Sequence, residues 1–233
     1  MTNQKEFIAA LKEIADPANV AGVAQYFHDD PNGHSSDNKV LGVRHGKIFG
    51  IAKKFSDMPL ADVEKLLDNR FYEVRMGAVS IMDFQARDKR ITPEHRKALF
   101  DLYLRRHDRI NNWDLVDRAA PYVVGGYLAD RSRAILYRLA RSKNPWERRT
   151  AIVSTYYFIR AGDIDDTFGI AEILVNDKHE LVQKAVGSWI REAGMKDQKQ
   201  LIRFLEKHSK SMPRTILRYA VEKLSAAQRS KFK

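Results

Sequence analysis

Apolar residues return every three or four positions along most of the chain, the spacing that collects them on one face of an α-helix. Phe7, Ile8, Leu11 and Ile14 make one such stripe, Val63, Leu66 and Leu67 a second, and Leu99, Leu102, Tyr103 and Leu104 a third. Two-residue alternation bounded by turns, the mark of a half-buried strand, is nearly absent, so the pattern predicts an all-α protein. The stripes break at Asp16-Pro17, at residues 29–38, and at Met58-Pro59, Thr92-Pro93, Asn144-Pro145 and Met212-Pro213. Proline has no N–H to give to a helix interior but suits a first turn, so several breaks also read as helix starts. Ser56 and Asp57 before Pro59, Thr92 with Glu94, and Asn144 with Glu147 supply capping side chains or early carboxylates there.

Laid over one another, the helices show a weak internal repeat. Segments 73–79, 146–152, 181–186 and 216–221 each place a basic or polar residue shortly before a small and an aliphatic one. Their alanines (Ala78, Ala151, Ala185, Ala220) fall roughly 35 residues apart, with one interval about doubled, which puts a missing unit near Asp114 to Ala119. That period suits stacked helical hairpins. One hairpin cannot bury its apolar face alone, so neighbours close a continuous core and leave a curved inner surface. The expectation is a single repeat domain over 1–233, with a polar surface loop at 29–38 and a candidate disordered tail at 225–233. His28 and His34 lie among aspartates near that loop, but no two histidines stand at a convincing ligand spacing, and no metal is expected.

Composition narrows the partner. Hydrophobic residues make up 44 % of the 233, enough for a core, and 30 % are charged, as exposed helix faces require. Lys and Arg number 41 against 30 Asp and Glu, a formal charge of +11 that attracts polyanions, nucleic acid or an anionic membrane surface. The cations are spread along the chain, so folding must assemble any patch. The absence of cysteine excludes disulfides, thiolate metal sites and cysteine nucleophiles. No stretch approaches the roughly 18 apolar residues of a membrane span, and the N-terminus lacks a secretory apolar run. A cytoplasmic protein is the simplest expectation.

The most informative stretch for chemistry is Asn111-Asn112-Trp113-Asp114-Leu115-Val116-Asp117-Arg118. In a helix, Trp113 and Asp117 share one face, an aromatic plane beside a carboxylate. That pair suits a cationic substrate, since the indole face attracts positive charge and the carboxylate stabilises a developing cation or orients water. The alternative is Trp113 in the core and Asp117 paired with a neighbouring arginine. Arg148 and Arg149 are adjacent, about 100° apart on a helix, so at most one points straight into a cleft. Arginine grips phosphate and structural carboxylate equally well, and both readings stand.

The order Trp113-Asp114-Leu115-Val116-Asp117, then Asn144 to Ile152 (Asn-Pro-Trp-Glu-Arg-Arg-Thr-Ala-Ile), then Gln183-Lys184-Ala185-Val186-Gly187 with Arg191-Glu192, resembles the AlkD-type alkylpurine DNA glycosylases. Leu41-Gly42-Val43-Arg44 and Glu73-Val74-Arg75 with Ile81-Met82 are similar to that family's earlier helices, and the likeness runs from about Leu41 to Leu224. The resemblance implies a right-handed superhelical solenoid of HEAT-like helical-hairpin repeats with a basic concave surface. It also implies a monomer that acts on double-stranded DNA containing alkylated bases. Cationic N-alkylated purines, chiefly 3-methyladenine and 7-methylguanine, would be released by hydrolysis, without metal or organic cofactor. Asp117 would be the catalytic carboxylate, Trp113 would line the lesion, and Arg149 would hold the nearby backbone. Arg148, Arg44, Lys47, Arg75, Arg118, Lys184, Arg191, Arg214 and Arg218 are further candidates for phosphate contacts, persuasive only as a set.

The sequence departs from the family at one point. Ser188 follows Gly187 where the family commonly has tryptophan, and Trp189 comes one residue later. That step turns the indole by about 100° on a helix. Trp113 then suffices alone, or a locally altered helix returns Trp189 to the cleft, or the protein binds damaged, distorted or branched DNA without excising a base. The expected place for Trp189 is the core.

Overall fold

The computed structural model describes residues 3–25 and 39–232. These are all-helical, a helical-repeat fold, and among them the only strand-like feature is an isolated bridge between Lys39 and Phe71. The polar loop expected at 29–38 lies outside the described residues, as do His28 and His34. The chain divides into two compact units, 1–127 and 128–233.

Unit 1 contains α1 (Gln4–Glu13), α2 (Val20–Ala24), α3 (His45–Lys54), α4 (Leu60–Leu67), α5 (Tyr72–Arg87), α6 (Pro93–Arg105) and α7 (Trp113–Ala119). Helix α5 is its axis: α3, α4 and α7 all pack on it, and from Tyr72 to Asp83 every residue is buried. Such a helix has no solvent face to spare, so its polar groups must find partners inside. Glu73 does so by an unusual route. Its carboxylate accepts from the backbone N–H of Leu41 (2.9 Å), Gly42 (2.9 Å) and Val43 (3.2 Å), fixing the chain that leads into α3. Gly42 has φ +84, and a Cβ there would collide with the Asp16 carbonyl, so no other residue fits comfortably.

After α7 the helix widens into a π-helical stretch, Ala120–Gly125. Pro121 lies within it, with no N–H for the ordinary ladder and a ring that crowds the preceding turn.

Unit 2 contains α8 (Ala134–Leu139), α9 (Pro145–Ser154), α10 (Tyr156–Arg160), α11 (Asp165–Leu174), α12 (Glu180–Gly194), α13 (Gln198–His208), α14 (Arg214–Ala220) and α15 (Ala226–Ser230). Helix α12 takes the central place, with α9, α11, α13 and α14 packed on it. Its Gly187 allows the close approach of α14: an added Cβ would sit 2.6 Å from the Ile216 carbonyl oxygen.

The four repeat segments fall on α5, α9, α12 and α14, and the missing unit near Asp114 to Ala119 is α7. Thr92 accepts from the His95 N–H (3.2 Å) and Asn144 from the Trp146 N–H (2.9 Å), as the sequence leads one to expect. The start at Pro59 is different: neither Ser56 nor Asp57 caps α4, whose N-cap position is Pro59 itself, without a side-chain cap. The tail also departs from expectation. Residues 225–232 include α15, closed by a capping box in which Ser225 Oγ accepts from Gln228 N–H (3.2 Å) and Gln228 Oε1 from Ser225 N–H (3.1 Å). A second bond from Gln228 Nε2 to Gln198 Oε1 (3.1 Å) ties it to α13.

Replacing Glu73 by alanine strands three backbone donors next to a buried helix, so stability should fall by about 3 kcal/mol or more. Asp197→Ala removes the half-buried N-cap of α13 and should cost about 1 kcal/mol. Urea denaturation of both variants compares them directly.

Candidate functional site

Trp113 opens α7 and Asp117 follows one turn later, both half-buried. Neither is a core residue, so both keep solvent access from one helix face. What holds that face in place is a pair of buried polar clusters, one at each end of α7.

At the N-terminal end stands Asp114, 7 % exposed. Its Oδ1 accepts from Asn112 Nδ2 (2.9 Å) and from the Leu115 N–H (2.8 Å), and its Oδ2 accepts a short bond from the Tyr72 hydroxyl of α5. His45, at the start of α3, reaches the same hydroxyl through Nε2 (2.6 Å) and lies 3.5 Å from Asp114 Oδ2. Tyr72 has one proton, and it goes to Asp114. His45 Nε2 must therefore donate to the phenol oxygen, which fixes the imidazole as the Nε2–H form or the cation. Arg75 closes the cluster, donating to the Asn69 carbonyl (2.8 Å) and to Asn111 Oδ1 (3.4 Å). Burial depresses its guanidinium to about 10.

At the C-terminal end Arg118 reaches Asp83 of α5 (2.5 Å) and Ser80 Oγ (3.1 Å). Its guanidinium lies 4.7 Å from the Phe49 ring centroid and 4.8 Å from that of Phe84. Asp83 is fully buried and also accepts from Arg87 (2.8 Å), which stacks on Tyr122 at 3.7 Å. Burial raises the Asp83 carboxyl above its ordinary value even against both arginines, and it lowers Arg118. Desolvation outweighs attraction here, so the pair fixes geometry more than it adds net stability.

Unit 2 carries the remaining candidates. Arg148 forms a two-point ion pair with the buried carboxylate of Asp177 (2.6 and 3.1 Å) and donates to the carbonyls of Ser142 and Lys143. Arg149 is buried and donates to the Leu181 carbonyl at the start of α12. On α12, Ser188 and Trp189 are both half-buried. The expected core position for Trp189 is corrected: its ring sits 5.0 Å from that of Tyr156 and keeps some exposure.

The set of expected phosphate contacts divides. Arg75 is 1 % exposed and holds the backbone of its own unit, so it is no phosphate ligand in this structure. Arg118 and Arg148 are spent on Asp83 and Asp177, Arg191 on Glu192 (2.9 Å) and Glu222, and Lys184 on Glu180 (2.8 Å). Arg44 is exposed and, among the described residues, donates to the neutral Asn19 Oδ1 (3.1 Å). Lys47, Arg214 and Arg218 are exposed as well. Sequence reasoning missed Asp114, Tyr72, His45 and Asp83. Two signals were present: Asp114 inside the Trp-Asp motif, and the i, i+4 pair Asp83/Arg87 on α5.

Among the described residues no group of three or more His, Asp or Glu could hold a metal ion, and no helix is long and apolar enough to cross a membrane.

Burial, followed by the charge of Asp114, holds the Tyr72 phenol well above its ordinary 10.0. The unfolded chain ionises there first, so the stabilisation is intact below about pH 10 and is lost as pH rises beyond it. Tyr72→Phe should flatten this alkaline loss. Near neutral pH the same change removes a donor to a buried carboxylate and should cost about 1–3 kcal/mol. Denaturation at neutral pH and at about pH 11 measures both effects.

A family model described as "DNA alkylation repair enzyme" matches residues 7–224. A solved structure described as "Predicted DNA alkylation repair enzyme from Enterococcus faecalis" superposes with a TM-score of 0.69 at 14 % identity, over 91 % of this chain and 97 % of that one. No curated protein gives a significant sequence match.

Proposed function

The chain belongs to the DNA alkylation repair enzyme family, and on that premise we propose that it is a DNA glycosylase that hydrolyses the N-glycosidic bond of cationic N-alkylated purines in duplex DNA. The observation that carries this reading is the Trp113/Asp117 face of α7, half-buried with some solvent access and braced at both ends by buried polar clusters. Precise placement of this kind is what a site needs when chemistry depends on a fixed charge near a developing cation.

An N-alkylated purine such as 3-methyladenine or 7-methylguanine carries its positive charge before any bond breaks. The indole of Trp113 attracts that charge through its π face. As the bond from the sugar carbon to the base nitrogen lengthens, the bonding pair leaves with the base, which becomes neutral, and the positive charge moves to the sugar. Asp117 stabilises the oxocarbenium character and orients a water whose oxygen forms the new bond to the sugar carbon. The water proton passes to the carboxylate and then to solvent. No metal or organic cofactor enters this scheme. The protein works as a cytoplasmic monomer on the nucleoid, gripping duplex phosphates through exposed Arg44 and Lys47, while Arg148 and Arg149 hold the fold of unit 2.

A second reading has its own support. Ser188 leaves α12 without the aromatic ring that the family commonly carries there, which favours a non-catalytic binder of damaged, distorted or branched DNA.

Single-turnover release of 7-methylguanine from a methylated duplex separates the two. The wild type should release base, and Asp117→Asn should abolish release with DNA affinity nearly unchanged. Wild-type binding without release would establish the binder, and a gain in Ser188→Trp would identify the missing ring as the reason. Two phosphate contacts predict that affinity falls roughly tenfold between about 50 and about 200 mM salt. A flat response would remove the basic surface from the account.

A further inference from the structure

The folded tail creates a cavity that the sequence did not announce. About 310 Å³ in volume, it is lined by Arg214, Leu217, Arg218 and Val221 of α14 and its C-terminal end, and by Arg229 and Phe232 of the tail. Its wall is mainly apolar: Leu217 and Phe232 are themselves buried. Three exposed guanidiniums stand at its edge, and no carboxylate lines it. None of the three makes an ion pair among the described residues, in contrast to Arg118, Arg148 and Arg191. Arg218 rests over the Tyr219 ring at 5.2 Å. Glu180, which feels the charge of Arg218, is itself paired with Lys184 (2.8 Å).

A larger cavity in unit 1, about 750 Å³, offers no comparable charge. There Arg90 is held by Asp88 (2.8 Å), Arg87 by Asp83 (2.8 Å), and His95 by Gln85 (2.9 Å).

We propose that the α14–tail cavity is a binding site for a nucleoside phosphate, with the phosphate held by Arg214, Arg218 and Arg229 and the base or sugar against Leu217, Val221 and Phe232. Each part of the ligand follows from a feature of the site. Guanidiniums match phosphate oxygens in planar, two-point geometry, and three of them suit the near-double charge of a phosphomonoester better than a single carboxylate. An apolar wall beside them requires a ligand with an apolar face next to its charge. The volume is at the lower end of small-molecule pockets, about 300 Å³, the scale of one nucleotide rather than a larger cofactor. The ligand is a free nucleotide or the phosphorylated end of a strand, since both present the same group.

The inference extends the nucleic-acid reading to a second place but does not depend on base excision, because its test uses no lesion. Calorimetric titration of the full chain with 2′-deoxyadenosine 5′-monophosphate at low salt should saturate at one site. Inorganic phosphate should bind at least about tenfold more weakly. Arg229→Gln and Arg214→Gln, both exposed, should each weaken the nucleotide about tenfold or more, with melting curves confirming an intact fold. Arg203→Gln, exposed on α13 and outside the cavity, should leave it unchanged. Absence of saturation, equal binding of phosphate and nucleotide, or equal loss in all three variants would overturn the assignment.

Competition with short duplexes then identifies the source. Displacement by 5′-phosphorylated but not 5′-hydroxyl ends assigns the cavity to strand ends, and displacement by neither assigns it to free nucleotides. Equal displacement by both would return these arginines to general backbone binding and overturn the proposal. If the nucleotide binds and no base is released, the cavity stands and the glycosylase reading falls. The reverse result separates them equally well.

Discussion

Two carboxylates buried on either side of one short helix set the terms for the rest of unit 1. Asp83 and Asp114 lie out of water, and each must be met by donors from elements far apart in sequence. Asp114 draws in Tyr72 from α5 and His45 from α3, while Asp83 draws in Arg118 from α7 and Arg87 from its own helix. Satisfying both leaves α7 little freedom to slide or roll. A seven-residue helix has marginal stability of its own, so its orientation comes from these contacts and from packing on α5. The half-buried face with Trp113 and Asp117 inherits that fixity.

The sequence revealed helices more readily than partners. Periodicity and capping prolines placed α6 and α9, because a helix start is written locally in a cap and a first-turn proline. The repeat overlay even located α7 by its absence from the series. Pairing is a different matter. Arg75, Arg118 and Arg148 read as surface cations because their partners lie between 29 and 38 residues away or on backbone carbonyls. No window of a dozen residues shows that Glu73 will accept three N–H groups some 30 positions upstream. The tail misled for the opposite reason: α15 is only five residues long, and its capping box uses Ser and Gln, which carry no apolar signal.

The formal charge of +11 therefore overstates some positions and understates others. Arginines that looked alike in composition split into those that hold helices together and those left to face solvent. Arg148 on Asp177 and Arg191 on Glu222 brace neighbouring helices of unit 2, whereas Arg214, Arg218 and Arg229 have no such duty. Only the unengaged group is available to a polyanion at no cost to the fold.

This division gives each internal carboxylate a second role. Asp177 holds Arg148 in the structure and at the same time withholds a cation from any passing phosphate. Drift at such a position would release a guanidinium to the surface while loosening the repeat behind it, so a stronger, less discriminating grip on nucleic acid would arrive together with a weaker scaffold. Surface charge and integrity are coupled at single residues, because the acidic members of these pairs decide both which guanidiniums stay within the fold and how firmly the repeat behind them is held.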